Sequence, residues 1–233
     1  MRGLPARNPI LILNYKTFSS GLGQSGLAIA RGAERASREW GVAIMVAVPY
    51  TMIHRIASSV EIPVLAQHVD PVEPGRGTGY VTVEAVREAG GRGSLVNHSE
   101  RKLALSESQR VIELLRASSL TSVACGDTPR AAAAMALLGA DIVAVEPPEL
   151  IGTGIAVSRA RPEVVTNSIE LIRGELKLAL PILVGAGVVS EEDCRRAIEL
   201  GADGVLVASA VMNAKDPLSK INELCRGLTS SPR

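Results

Sequence analysis

The sequence predicts an α/β barrel, a closed ring of eight parallel strands surrounded by helices, some of them short. Three observations predict it. Eight short, β-branched and nearly continuous apolar runs recur along the 233 residues, as expected of strands buried on both faces. Between them lie stretches carrying helix start and stop signals. The tetrapeptide Leu-Gly-Ala-Asp occurs at 138–141 and again at 200–203, each time between a helical pattern and a strand, a weak repetition of one β/α unit. Eight such units in this length favour a closed barrel over an open doubly wound sheet. No linker or low-complexity segment interrupts the series.

The runs, in order, are Pro9–Asn14, Val42–Val48, Ile62–Leu65, Gly93–Asn97, Thr121–Cys125, Asp141–Glu146, Pro181–Val184 and Gly204–Val207. Helix starts follow several of them. Thr128-Pro129 and Asp216-Pro217 each set a capping side chain before a proline at the first helical position, and Ser106-Glu-Ser-Gln109 has capping-box spacing. Gly41, Gly139, Gly174 and Gly201 stand where helices should end, offering left-handed caps. Trp40 and the alanine-rich 131–136 stretch read as helix packing.

Composition narrows the function classes. The net charge is +1, with acids and bases dispersed, which argues against a nucleic-acid partner or a polybasic membrane patch. No run of eighteen apolar residues is present, and the first eight residues lack a signal-peptide core; the expectation is a cytoplasmic protein of one domain spanning 1–233. Cys125, Cys194 and Cys225 are odd in number and widely spaced, so reduced thiols are expected rather than a disulfide framework or zinc site.

In barrels, chemistry gathers where strands end and the following loops begin. The first strand ends Asn14-Tyr15-Lys16, and period-two alternation puts Asn14 and Lys16 on one side with Tyr15 on the other. The fourth ends Asn97-His98-Ser99-Glu100, whose imidazole can, if neutral, polarise a carbonyl. The sixth ends Glu146-Pro147-Pro148 and runs into Glu149-Leu-Ile-Gly-Thr-Gly154, where prolines and glycines frame a mobile tip with the makeup of a lid. The seventh and eighth run into Gly185-Ala186-Gly187 and Ala208-Ser209, small residues that let backbone amides approach an anion. The inventory is a carboxylate base, a hydrogen-bond donor, a lysine and a phosphate cradle.

Taken singly these signals are weak. A lone histidine is more often a turn residue, a lone lysine is usually solvated, Glu149 competes with Glu146 for the role of base, and Glu100 either orients Lys16 or merely belongs to a capped turn. Gly-rich turns alone are often only turns.

Taken together, Asn14-Tyr-Lys16, Asn97-His-Ser-Glu100, Glu146-Pro147 with Ile151-Gly-Thr-Gly154, and Gly185-Ala-Gly187 with Ala208-Ser209 resemble the triosephosphate isomerase family in its short archaeal form, in the family's order and across nearly the whole chain. The resemblance implies a single TIM barrel interconverting dihydroxyacetone phosphate and glyceraldehyde 3-phosphate through an enediolate, in glycolysis and gluconeogenesis, without cofactor or metal. It implies Glu146 as general base, His98 as neutral electrophile, Lys16 and Asn14 as stabilisers of charge on the substrate oxygens, and Glu100 and Asn97 as supports. Ile151 and Gly152 in the lid, with Gly185, Ala186, Gly187, Ala208 and Ser209, would hold the phosphate. The 67–79 segment resembles the family's subunit-contact loop, with Thr78 reaching a neighbour, and the archaeal likeness favours a homo-tetramer over a dimer. The lid departs from the common Glu-Pro-Val-Trp form, and the Gly185-Ala-Gly187 segment is shorter than the Gly-Gly-Ser type. Two alternatives remain: another phosphate-binding barrel enzyme, such as a Schiff-base aldolase, for which strands five and six lack a lysine, and a phosphosugar-binding protein without turnover.

Overall fold

Strands whose residues are apolar on both faces need cover on both, and closing the sheet on itself supplies one of them. The computed structural model describes residues 8–147 and 156–230. In it β1 (Ile10–Asn14), β2 (Ala43–Val48), β3 (Val64–Ala66), β4 (Gly93–Val96), β5 (Thr121–Gly126), β6 (Ile142–Val145), β7 (Ile182–Val184) and β8 (Gly204–Val207) form a closed parallel barrel in sequence order. The ring shuts where β8 pairs with β1, Val205 opposite Leu11 and Val207 opposite Leu13.

Alternation along each strand sorts the core into two shells. Ile10, Ile12, Met45, Ala47, Leu65, Leu95, Val123, Cys125, Ile142, Ala144, Leu183 and Leu206 fill the barrel interior. Leu11, Leu13, Val46, Val143 and Val205 point outward into the larger shell under the helices. Each aliphatic side chain so buried is worth about 1.5–3 kcal/mol relative to exposure. Tyr15 continues the outward series, fully buried, its hydroxyl donating to the Gly26 carbonyl at 3.0 Å. Asn14 continues the inward one and is 3% exposed, so the alternation read at the first strand end holds.

The covering helices are α1 (Gly23–Trp40), α2 (Tyr50–Ala57), α3 (Val83–Glu88), α4 (Leu105–Ala117), α5 (Pro129–Leu137), α6 (Val157–Ala160), α7 (Pro162–Ile169), α8 (Glu191–Glu199), α9 (Ser209–Met212) and α10 (Pro217–Thr229). Thr128 and Asp216 cap α5 and α10 as expected, accepting from Ala131 N–H and from Leu218 and Ser219 N–H. Trp40 donates to Asn222 at 3.0 Å, tying α1 to α10.

Two expectations are corrected. Ser106 lies inside α4 rather than at its start; the helix begins one residue earlier, and the Glu107 carboxylate accepts from Ala104 N–H instead. A side chain three residues into the helix reaches back to the free amide where alanine has no oxygen to offer. Gly174 ends no helix in a left-handed cap. It sits within a wider, π-type turn over Glu170–Glu175 that continues α7, and the positive φ of 55° falls on Lys177. Gly41, Gly139 and Gly201 do take positive φ.

The repeated tetrapeptide has one structural job in both copies. Asp141, just before β6, accepts from Ser122 N–H at the start of β5, and Asp203, just before β8, accepts from Ile182 N–H at the start of β7. Each aspartate pins the amino end of its strand to the neighbour. Arg173 adds an ion pair to Asp203.

Candidate active site

The carboxyl ends of β1, β4, β6, β7 and β8 converge. One cavity of about 250 Å³ is lined by Lys16, His98, Glu146, Gly185, Gly187, Ala208 and Ser209. An adjoining one of about 520 Å³ shares Lys16, His98 and Glu100 and runs on past Asn14, Gln67, His68 and Asp70. Thus most residues singled out by the sequence meet in one place, although they come from positions tens to nearly two hundred apart.

Lys16 follows β1 with a left-handed φ of 45°, a conformation that costs free energy outside glycine and persists only when its surroundings enforce it. Two bonds enforce it. Its N–H donates to Asn14 Oδ1 at 3.0 Å, and its carbonyl accepts from Gln67 Nε2 at 2.9 Å. The ammonium donates to Glu100 Oε1 at 2.9 Å, so the carboxylate is positioned to orient it.

Asn97 also has positive φ, 56°. Its Nδ2 donates to the Cys125 carbonyl and its Oδ1 accepts from Leu103 N–H, bracing the turn from both sides. This turn ends β4 one residue earlier than the apolar run suggests and swings His98 inward. There the Glu100 N–H donates to His98 Nδ1 at 3.1 Å. A nitrogen that accepts carries no proton, so in the neutral ring the proton sits on Nε2. That Nε2 lies 3.6 Å from Glu146 Oε1.

Glu146 is 2% exposed, and its Oε2 has no hydrogen-bond partner among the described residues. Burial pushes its carboxyl above the ordinary carboxylate range; His98, a hydrogen bond from the Cys125 thiol and Lys16 favour the charged form in that order, and Glu100 opposes them. Desolvation outweighs these contributions because burial removes far more hydration than they return. A buried, under-satisfied carboxylate with a raised pKa facing a cavity is poised to take up a proton.

On the adjoining strand, Gly185 follows β7 and donates its N–H to Val145 O at 3.0 Å. Gly187 has a positive φ of 71°. Ala186 is fully buried and lines neither cavity. Ser209 opens α9, whose first amides have no acceptor within that turn. Thr78 stands exposed on the loop before α3 and is not gathered with the others. Ile151, Gly152 and the competing Glu149 lie outside the described residues.

Gln67 and Cys125 were not legible as site residues. Gln67 works through its amide on a backbone carbonyl 51 positions away, and Cys125 looks like any core thiol until β5 and β6 are paired. His68, at the far side of the larger cavity, contacts Asp70 at 3.3 Å.

Fold and site together define a class: a barrel enzyme whose carboxylate, imidazole and ammonium stand at the carboxyl ends of its strands. A family model described as triosephosphate isomerase matches residues 9–226. The triosephosphate isomerase of Methanothermus fervidus is 44% identical over 216 residues, covering 93% of this chain and 97% of the relative. That of Sulfolobus acidocaldarius is 44% identical over 218 residues, 94% of each chain, and that of Metallosphaera sedula is 45% identical over 219 residues, 94% and 95%. The chain belongs to the triosephosphate isomerase family and is an isomerase.

Proposed function

We propose that the cavity at the carboxyl end of the barrel interconverts D-glyceraldehyde 3-phosphate and dihydroxyacetone phosphate, with Glu146 as general base and His98 as neutral electrophile. The observation that carries this is the bond from Glu100 N–H to His98 Nδ1, which leaves Nε2–H facing the same space as the Glu146 carboxylate. In the first half-reaction Glu146 takes the proton from the carbon beside the substrate carbonyl. The C–H electron pair forms the enediolate double bond, and the negative charge moves to the carbonyl oxygen. Nε2–H of His98 donates to that oxygen and Lys16 offsets its charge. Transfer of the remaining hydroxyl proton to the former carbonyl oxygen, by way of His98, and return of the carbon-bound proton from Glu146 to the former carbonyl carbon complete the isomerisation with no net gain or loss of atoms. This division between a carboxylate base and a neutral imidazole is the one for which the family is itself the standard illustration.

The phosphate would lie against Gly187 and the amides of Ala208 and Ser209, with Ala186, Ile151 and Gly152 assigned to the same cradle. Asn14 is engaged through Oδ1 with the Lys16 backbone, so its Nδ2 is the group left for a substrate oxygen. Closure of the lid around Gly152, which lies outside the described residues, would exclude water and protect the enediolate from losing phosphate. The single domain, the cytoplasmic setting, the pathway role and a homo-tetramer with Thr78 at a neighbour's site belong to the same proposal; light scattering on the purified protein counts the subunits.

The test is a coupled assay with glyceraldehyde 3-phosphate and a dehydrogenase that consumes dihydroxyacetone phosphate. Glu146→Gln should lower kcat by about 10²–10⁴-fold, the range of general acid–base catalysis. For His98→Gln the expected loss is about 10²–10³-fold, as for removal of one oxyanion donor. Absence of turnover by well-folded wild type would sink the isomerase reading of this site.

A further inference from the structure

The sequence places Gly185 in the phosphate cradle, yet its nearest side-chain neighbour, at the end of the adjoining strand β6, is the base. A methyl group built on its Cα would collide with Glu146 Cγ and come within 2.8 Å of Oε1 and 2.9 Å of Cδ. Real Cβ atoms do not approach so closely, and the atoms met belong to one side chain held in a pocket where it is 2% exposed. No backbone requirement explains the glycine, since Gly185, unlike Gly187, is not in the positive-φ region. What the position demands is the absence of a side chain.

The surroundings leave Glu146 little freedom to yield. Its backbone N–H is fixed to Gly126 O at 2.8 Å on the β5 side, and its carbonyl-side neighbour strand β7 is fixed by Gly185 N–H to Val145 O at 3.0 Å. Cys125 flanks the carboxylate from β5, and His98 faces it from β4 at 3.6 Å. The carboxylate therefore rests in a slot whose fourth wall is the bare Cα of Gly185.

We propose that Gly185 is a positioning residue for the reaction: its missing side chain is the space that Glu146 occupies, and it acts through the base rather than as a phosphate donor. The proposal rests on Glu146 being the base. A displacement of the base by about 1 Å is enough to cost on the order of 10²-fold in turnover. A phosphate donor, by contrast, contributes binding shared by ground and transition states, and its loss raises KM.

The experiment is a double-mutant cycle between Gly185→Ala and Glu146→Ala, with thermal melting measured for all four proteins and kcat, KM and competitive inhibition by inorganic phosphate compared between wild type and Gly185→Ala. Gly185→Ala should lower kcat by about 10–10²-fold while leaving phosphate inhibition nearly unchanged. The acid limb of kcat should also move towards the ordinary carboxylate range as the displaced Glu146 gains solvent. In the Glu146→Ala background, where the Cγ, Cδ and Oε1 atoms that meet the new methyl are all gone, the same change should cost much less in melting temperature. If Gly185→Ala does not fold but the double variant does, the collision with Glu146 is established by rescue. Equal losses in both backgrounds, unfolding in both, or an intact kcat with weakened phosphate inhibition would each overturn the proposal. Failure of the underlying reading is separate and visible as full activity in Glu146→Gln.

Discussion

A carboxylate buried as deeply as Glu146 is held at a cost to stability, and that cost has a sign. Its folded-state pKa is raised, so the native state binds its proton more tightly than the unfolded chain does. The contribution to stability is therefore greatest below the ordinary carboxylate pKa and falls as pH rises through the raised one. Glu146→Gln should melt at a higher temperature than wild type at neutral pH, and the advantage should shrink in acid; calorimetry at both ends checks it. For catalysis the same shift predicts that kcat/KM falls on acidification at a pH above the ordinary carboxylate range. Glu100 provides the contrast. Its side chain is 57% exposed while it pairs with Lys16, and exposed pairs are worth about 0–1 kcal/mol. Glu100→Gln should accordingly cost no more than about fivefold in turnover, against at least about 10²-fold for Glu146→Gln. Parity between the two variants would show that Glu100 does more than orient the lysine.

At the level of elements, the helix starts separate a cap that the sequence placed correctly from one it placed wrongly. Thr128 accepts from the third amide of α5, and Thr128→Ala should cost about 1 kcal/mol, lowering Tm by about 2–4 °C in a protein of this size with kcat unchanged. Ser106 has no such bond because α4 has already begun, and Ser106→Ala should stay within about 0.5 kcal/mol. Paired melts of the two variants test both statements. The difference was hidden in the sequence because Ser106 and Gln109 have capping-box spacing, whereas the residue Glu107 reaches back to is Ala104, which carries no capping signal of its own. The π-type turn after α7 was hidden for a related reason: glycine near a helix end usually marks a left-handed cap, and only the packed structure puts Gly174 inside the widened turn.

Across the whole molecule, barrel closure depends on contacts with no room to spare. Gly204 starts β8 where a methyl group would collide with the Ile10 carbonyl oxygen and lie 2.7 Å from Ile10 N and C. Gly204→Ala should destabilise by about 1–3 kcal/mol or more, as overpacking does, and denaturant titration measures it. The three cysteines are all fully enclosed; burial pushes the Cys225 thiol up to about 12 and raises Cys125 and Cys194 as well. A thiol reagent should therefore react with native protein far more slowly than with denatured protein, and rapid native labelling would contradict the packing of α8 against α10.

The sequence by itself determined the order of the eight strands, the inward and outward sides of the first strand's end, the caps at Thr128 and Asp216, and the identities of Asn14, Lys16, His98 and Glu146 at strand ends. All of these rest on interactions within a few residues: alternation, burial and backbone preference. Only the tertiary structure decided that Gln67 braces Lys16, that Cys125 and Gly185 flank Glu146, and that Asp141 and Asp203 pin neighbouring strands. Those contacts join residues 19 to 51 positions apart, and no local pattern encodes them. They exist because closing the ring fixes which strand ends lie side by side, and with that, which atoms the Glu146 carboxylate can touch.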